Sequence, residues 1–288
     1  CETPQQAMLR EAEEELGIRI SQQRKWLVLN VGYPAQYDAQ GKLTAVARQI
    51  RLHCFVVSAW QGRLRGREGQ RLCWQHPEQV KIAPLLPVNI SILKALNLPN
   101  ICGISHAGSL GETAFLEALG HAFSNGLKMV VVREKTWGLG ALKNLVEHSI
   151  ALAKPYSARV IVHGVETLAR RADGLHVSAQ QLMTMTHKPP VALVGASCHT
   201  LEEVNQAVRL GLDYIWLGAV QVTPSHPETL GLGWAKFMQL GAECPLPVYA
   251  LGGLSEDDLA VAQQHGAHGV AMQRAIWKSS QAFAHSDA

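Results

Sequence analysis

The sequence has little charge and lacks the patterns that mark the common cofactor and metal sites. Only 17% of its 288 residues are Asp, Glu, Lys or Arg, and the formal net charge is +3. No stretch gathers the basic residues into an arm, so direct nucleic-acid binding is not expected. No apolar run reaches the roughly 20 residues of a membrane-spanning helix, and none reads as a signal peptide. None of the six cysteines (Cys1, Cys54, Cys73, Cys102, Cys198, Cys244) forms a C-x-x-C pair. That pattern excludes the usual redox and zinc motifs and fits reduced thiols acting as small hydrophobes, so a cytoplasmic setting away from membranes is expected. Thirteen histidines are many, yet they fall at no zinc-ligand spacing such as H-E-x-x-H.

The composition that remains is globular. Hydrophobic residues make up 47% of the chain, and the length favours two domains. The pattern changes near residue 98. Before it, Thr3-Pro4 opens a helix over residues 1–16, because proline is tolerated in a first helical turn, and Gly17 ends it. "KWLVLNVGY" and "RQIRLHCFVVSAW" are strand-length runs rich in Val and Ile. The proline-rich residues 76–99, with a short helix at 89–96, close this part, giving expected domains 1–97 and 98–288. Beyond them, eight short apolar runs alternate with helical stretches: "NICGISHA", "KMVVVREK", "ARVIVHG", "DGLHVSA", "VALVGASC", "DYIWLGAV", "PVYALGG" and "GVAMQRA". Eight buried strands alternating with helices predict a compact (β/α)8 barrel. A doubly wound open sheet competes, but no G-x-G-x-x-G follows the first strand.

Glu11, Glu14 and Glu15 stand at i, i+3 and i+4 and share one helix face. Such a row is either a solvated face or a set of oxygen ligands for Mg²⁺. The wider pattern favours the second. Glu2, then Arg10-Glu11-Ala12-Glu13-Glu14-Glu15-Leu16-Gly17-Ile18, resembles the Nudix box G-x5-E-x7-R-E-U-x-E-E-x-G-U, with Ala12 at the first bulky position. The leading glycine of the box would precede Cys1, so the Nudix domain is expected to be N-terminally incomplete. "GETAFLEALGHAF" at 111–123 begins similarly but has Gly120-His121 where Arg-Glu is required, and is set aside. "GREGQRLCWQHPEQV" and "PLLPVNISILKAL" look like the closing segments of the MutT type, the 8-oxo-dGTP diphosphatases. The resemblance implies Mg²⁺ (or Mn²⁺) held by Glu11, Glu14, Glu15 and Glu68. It implies Glu11 as the group that orients the attacking water, Arg10 fixing a carboxylate, and Asn89 reading a purine base. Asn89 also reads as a helix N-cap.

The second half resembles the thiamine-phosphate synthase/TenI family. "VVVREK" is similar to its Q-x-R-x-K strand, and "ADGLHVSA" to A-D-G-x-H-L-G-Q. "LVGASCHTLEEVNQAVRLGLDYIWLGAV" is similar to its G-x-S-x-H segment, and "YALGGL" to the phosphate loop A-x-G-G-I. The resemblance implies a pyrophosphate on Arg133 and Lys135, and a metal carboxylate in Asp173. It implies hydroxyls from Ser197, Thr223 and Ser225, the histidine His199, and backbone N–H groups at Gly252-Gly253. Val131, His163-Gly164, His226 and Arg274 depart from the family by replacing its glutamine, its N-D pair, the lysine of T-x-T-K and a phosphate-binding serine. The loss of one carboxylate of two weakens Mg²⁺ binding, while Arg274 and His226 add positive charge.

The expectation is therefore an α/β protein, a partial Nudix α/β/α sandwich followed by a compact (β/α)8 barrel. Its leading activity is hydrolysis of oxidised purine nucleoside triphosphates, with 8-oxo-dGTP giving 8-oxo-dGMP and pyrophosphate. The barrel is expected to take a thiamine-precursor phosphate, as a synthase, a thiazole tautomerase or a non-catalytic phosphate-ligand module.

Overall fold

The structure, a computed structural model, describes residues 2–222 and 230–277. Thr223, Ser225 and His226 lie outside the described residues. The chain forms two compact units, Cys1–Asn97 and Leu98–Ala288.

The first unit opens with helix α1 (Pro4–Leu16). The Thr3 hydroxyl accepts the Gln6 N–H, the Gln6 side chain accepts the Thr3 N–H, and Pro4 occupies the first turn, so the orphan donors of the helix start are met. Gly17 ends the helix at φ 71°, a left-handed stop that glycine adopts without a Cβ penalty. Strand β1 (Arg19–Tyr33) pairs antiparallel with β4 (Arg48–Gln61), with register shifts near Ile20–Gln23 and Lys25–Val28. The short strands β2 (Gln36–Tyr37) and β3 (Leu43–Ala45) pair with each other. Helix α2 (Pro87–Leu96) buries Ala95 against Trp26, Leu27 and Leu29, with Val88 and Ile92 beside them. Strand β1 begins six residues before the predicted run, because the polar Arg19–Arg24 stretch pairs with the end of β4 despite having no apolar alternation.

The second unit is a closed parallel barrel. Its strands are β5 (Ile101–Ile104), β6 (Met129–Val132), β7 (Arg159–His163), β8 (Gly174–Val177), β9 (Val194–Cys198), β10 (Tyr214–Gly218), β11 (Val248–Leu251) and β12 (Gly269–Met272), with β12 closing onto β5. The helices between them are α3 (Ala107–Leu110), α4 (Glu112–Ser124), α5 (Leu139–Ala153), α6 (Glu166–Ala169), α7 (Ala179–Thr184), α8 (Leu201–Arg209), α9 (Gly233–Gly241) and α10 (Leu259–Gln264). The strands alternate strictly. In β6, Val130 and Val132 face the helix layer while Met129 and Val131 fill the barrel. Both faces are buried, which is why these strands read as continuous apolar runs. No helix among the described residues is long and apolar enough to cross a membrane.

The N-terminal ends of three strands are fastened by one repeated device. Asp173, just before β8, donates its N–H to the Val160 carbonyl (2.9 Å), and its carboxylate accepts the Val160 N–H (2.8 Å). Asp213, before β10, makes the same pair with Val194 at 2.8 and 2.7 Å. His268, before β12, donates to the Val248 carbonyl (2.7 Å), and its Nε2 meets the Leu98 carbonyl (2.9 Å). The placement of Asp173 corrects the expected metal role. Its carboxylate bolts β8 to β7 at the end of the barrel opposite Arg133, Ser197 and Gly252, and cannot join a site built there.

Candidate functional site

Two clusters of candidate residues emerge, one in each unit. In the first, the Arg10 guanidinium stands among the carboxylates of α1. Its Nε and Nη2 meet both oxygens of Glu2 (3.0 and 3.2 Å), its Nη1 meets Glu14 (2.6 Å), and its Nη2 meets Glu11 (3.5 Å). Arg10's hydrogen bond holds the Glu2 carboxyl below its usual range, and the carboxylates in turn raise Arg10. The helix turn sets this geometry, since residues 10, 11 and 14 neighbour one another on one face. The pairs are solvent-exposed and stabilise little; they fix orientations.

The segment after β4 returns to the C-terminal end of α1. The Arg65 N–H donates to the Leu16 carbonyl (3.0 Å) and the Arg67 N–H to that of Glu15 (2.8 Å). Arg67 Nη1 reaches the Glu13 carbonyl (2.9 Å), and Gln70 Nε2 that of Glu15 (3.1 Å). Carbonyls left open at a helix end are thereby met from a distant loop. The same loop brings Glu68, whose N–H donates to Gln70 (2.8 Å), to the turn that carries Glu15. Beside α1 a groove of about 700 Å³ is lined by Glu11, Glu15, Arg51, His53, Trp60 and Trp74, among others. The two tryptophans stack with ring centres 6.1 Å apart. Asn89 does not line this groove. It is the third residue of α2, whose N-cap is Leu86, so its reading as an N-cap is corrected.

The donor set on α1 suits a hard divalent cation, since exposed carboxylate oxygens are what Mg²⁺ prefers. Among the described residues no three Asp, Glu, His or Cys groups stand gathered at ligating distance. Glu14 is turned to Arg10 instead, and Glu11 also pairs with it, both on a solvated face.

In the second unit the described candidates other than Asp173 stand at or just after the C-terminal ends of the strands, where barrel chemistry is built. Arg133 and Lys135 follow β6 directly. Arg133 is largely buried and its pKa is lowered by that burial; Lys135 is lowered first by Arg133 and then by burial. The two cations therefore feel each other. His163 ends β7 and is pushed down to about 4 by burial, then by Arg133 and Lys135. His176, one strand over, is fully buried and held well below its ordinary value by that burial. Its Nδ1 meets the Tyr214 hydroxyl (3.1 Å) and its Nε2 meets Ser197 Oγ (3.0 Å), while its ring lies 3.7 Å from that of Trp216. Ser197 is thus oriented by a neutral histidine from inside the barrel. His199 Nδ1 meets the Gly218 carbonyl at 2.5 Å. A carbonyl only accepts, so Nδ1 carries the proton in this bond.

Gly252 and Gly253 follow β11 at φ 104° and 73°. A Cβ on Gly252 would stand 2.4 Å from that of Ala219, so only glycine fits there. Arg274 follows β12, next to Gln273, whose amide donates to the Ser105 carbonyl (3.2 Å). His176, Tyr214, Glu134 and Ser105 were not predicted as site residues. For His176 a signal existed: it is the penultimate, inward-parity position of an apolar strand. With Asp173 at the opposite end and His163-Gly164 in place of the N-D pair and its one carboxylate, the described residues of the mouth do not fit a Mg²⁺ site.

Comparison with known proteins bears on both units. The family model described as thiamine monophosphate synthase matches residues 101–276, and that of the NUDIX domain matches residues 1–96. A protein of Aquifex aeolicus named "Putative thiamine-phosphate synthase 2" is 33% identical over 180 residues, covering 61% of this chain and 96% of its own. A thiamine-phosphate synthase of Bacillus thuringiensis is 30% identical over 181 residues, covering 58% of this chain and 81% of its own. The solved thiamine phosphate pyrophosphorylase of Pyrococcus furiosus superposes with a TM-score of 0.53 at 20% identity, covering 63% of this chain and 92% of that one, and so shares the barrel fold. The chain belongs to the thiamine monophosphate synthase family and carries a NUDIX domain ahead of its barrel.

Proposed function

We propose that the Nudix unit hydrolyses a purine nucleoside triphosphate, with 8-oxo-dGTP as the preferred substrate. The observation that supports this most is the Arg10 cluster, which gathers Glu11 and Glu14 of α1 with Glu2 just before it, while the 65–70 loop brings Glu68 to the C-terminal end of α1 beside Glu15. A Nudix domain is a hydrolase of nucleoside diphosphates linked to a further group, and such enzymes use Mg²⁺. Glu11, Glu14, Glu15 and Glu68 would hold that cation, which supplies charge neutralisation at the phosphates and a more acidic water. Glu11 takes a proton from the water. The oxygen of that water bonds to phosphorus as the bridging P–O bond breaks, and the products are a nucleoside monophosphate and pyrophosphate. Arg10 keeps Glu14 and Glu2 in place and does not touch substrate.

The test is pyrophosphate release from 8-oxo-dGTP, with dGTP alongside, in the presence of Mg²⁺ or Mn²⁺. Faster release from the oxidised nucleotide supports the reading; no release from either overturns it.

A second reading concerns the barrel. Arg133 and Lys135 follow β6, and Gly252-Gly253 follow β11, at the same end of the barrel, an arrangement for a phosphorylated ligand that requires no metal. The relatives' names point to coupling of a pyrimidine diphosphate with a thiazole phosphate. The reaction joins the pyrimidine methylene carbon to the thiazole nitrogen and releases pyrophosphate. Formation of thiamine phosphate from the two precursors, with and without chelator, tests this. Binding without turnover would assign the barrel as a ligand-binding module, and interconversion of thiazole isomers would assign it as a tautomerase.

A further inference from the structure

In the Arg133-Glu134-Lys135 run an acid separates two cations, and its carboxylate is held by the segment that follows β5. Glu134 offsets part of the lowering that burial imposes on Arg133, while its carboxylate oxygens are taken up by three other donors. Its Oε1 accepts the Ser105 hydroxyl (2.6 Å) and the Ala107 N–H (2.8 Å), and its Oε2 accepts the Gly108 N–H (2.9 Å). Ser105 is fully buried, and its oxygen also accepts the Arg133 N–H (2.8 Å). The loop after β6 and the segment after β5 are therefore joined in a closed ring of hydrogen bonds. Gly108 completes the fit, since a Cβ there would stand 3.0 Å from Glu134 Oε2.

We infer that Glu134 is a positioning residue for the cations on either side of it. Its carboxylate, fastened between β5 and α3, holds Arg133 and Lys135 at the barrel mouth with their charge available to a phosphate or pyrophosphate anion. This rests on the anion-binding reading of the mouth. Two like charges this close repel, and an unfastened loop would relax by splaying them or by folding Glu134 back between them. Either relaxation costs the site its charge. A glutamine at 134 keeps the shape but presents N–H where Gly108 donates, so two donors face each other.

The experiment uses the full chain with Glu134→Gln, Arg133→Ala and the double variant. Amide exchange at Ala107, Gly108 and Arg133 reports the clamp, and calorimetric binding of inorganic pyrophosphate in EDTA reports the cations. In Glu134→Gln, exchange at these amides should quicken, and the pyrophosphate Kd should rise, each about tenfold, the scale of one charge-assisted hydrogen bond. In the Arg133→Ala background the further rise should fall to about twofold or less, because the carboxylate acts through its neighbour. Unchanged exchange would overturn the clamp. Quickened exchange with an unchanged Kd would overturn the positioning role. A wild-type chain that binds no pyrophosphate would overturn the anion-site reading and the role with it, while the exchange data still judge the clamp. Should Glu134→Gln fail to fold, Gly108→Ala presses on the same carboxylate and is expected to reproduce both changes.

Discussion

Replacing Asp173 with alanine separates a structural carboxylate from a ligand-binding one. In the native barrel this side chain accepts the Val160 N–H at 2.8 Å, while its own N–H donates to the Val160 carbonyl at 2.9 Å. Alanine keeps the second bond and removes the first. The Val160 amide is then left without its acceptor in a part-buried position, where an unsatisfied donor costs about 1–3 kcal/mol. In a domain of this size each kcal/mol lowers Tm by about 2–4 °C, so a drop of roughly 2–12 °C is expected. Asp173→Asn retains a carbonyl oxygen in the same place and should lose less. Thermal unfolding followed by circular dichroism measures both. Pyrophosphate affinity, measured with and without Mg²⁺, should match wild type in both variants. A native Tm together with a lost Mg²⁺-dependent affinity would refute this reasoning and return Asp173 to the ligand.

Three further outcomes follow from the same geometry. His163 is held at about 4 against an ordinary 6.5, so the unfolded chain takes up this proton first. Its contribution to barrel stability is complete above about pH 6.5 and is lost as pH falls toward 4, on the order of 3 kcal/mol in all. His163→Asn should flatten that part of the stability–pH curve, and an unchanged slope would show that the ring titrates normally. Gly17→Ala puts a Cβ on a residue at φ 71° and within 2.8 Å of the Arg67 side chain. It should weaken α1 by about 1 kcal/mol, read as faster amide exchange along that helix, and unaltered exchange would count against the cap. Glu14→Gln should reduce pyrophosphate release from 8-oxo-dGTP by about a hundredfold or more with little loss of fold; full turnover would remove Glu14 from the cation site.

The barrel was legible because parallel strands are buried on both faces. Eight short apolar runs cannot be satisfied by a sheet with a wet side, and each run found its strand. The short helices α3, α6 and α7 carry too few residues for a helical period to register. The start of β1 was invisible for the opposite reason, since Arg19–Arg24 is polar and its pairing with β4 comes from the hairpin, not from burial. Asn89 was placed one turn too early because Pro87 already supplies the helical φ that opens α2.

The two acids flanking the barrel strands show where motif matching and strand direction part company. Asp173 sits before the run "GLHV" and Glu134 after the run "MVVV". In a parallel barrel, residues before a strand collect at one end and residues after it at the other. That rule alone sends Asp173 away from the mouth, as its bond to Val160 shows. Glu134 reaches the mouth, but its role depends on Ser105, Ala107 and Gly108, which lie on a different strand exit and share no local pattern with it. The sequence shows an acid between two cations at a strand exit; what meets that acid is decided only when β5 and β6 pair. A charged triplet of alternating sign at a strand end can thus present net positive charge to a ligand, provided the neighbouring strand supplies the donors that draw the acid away.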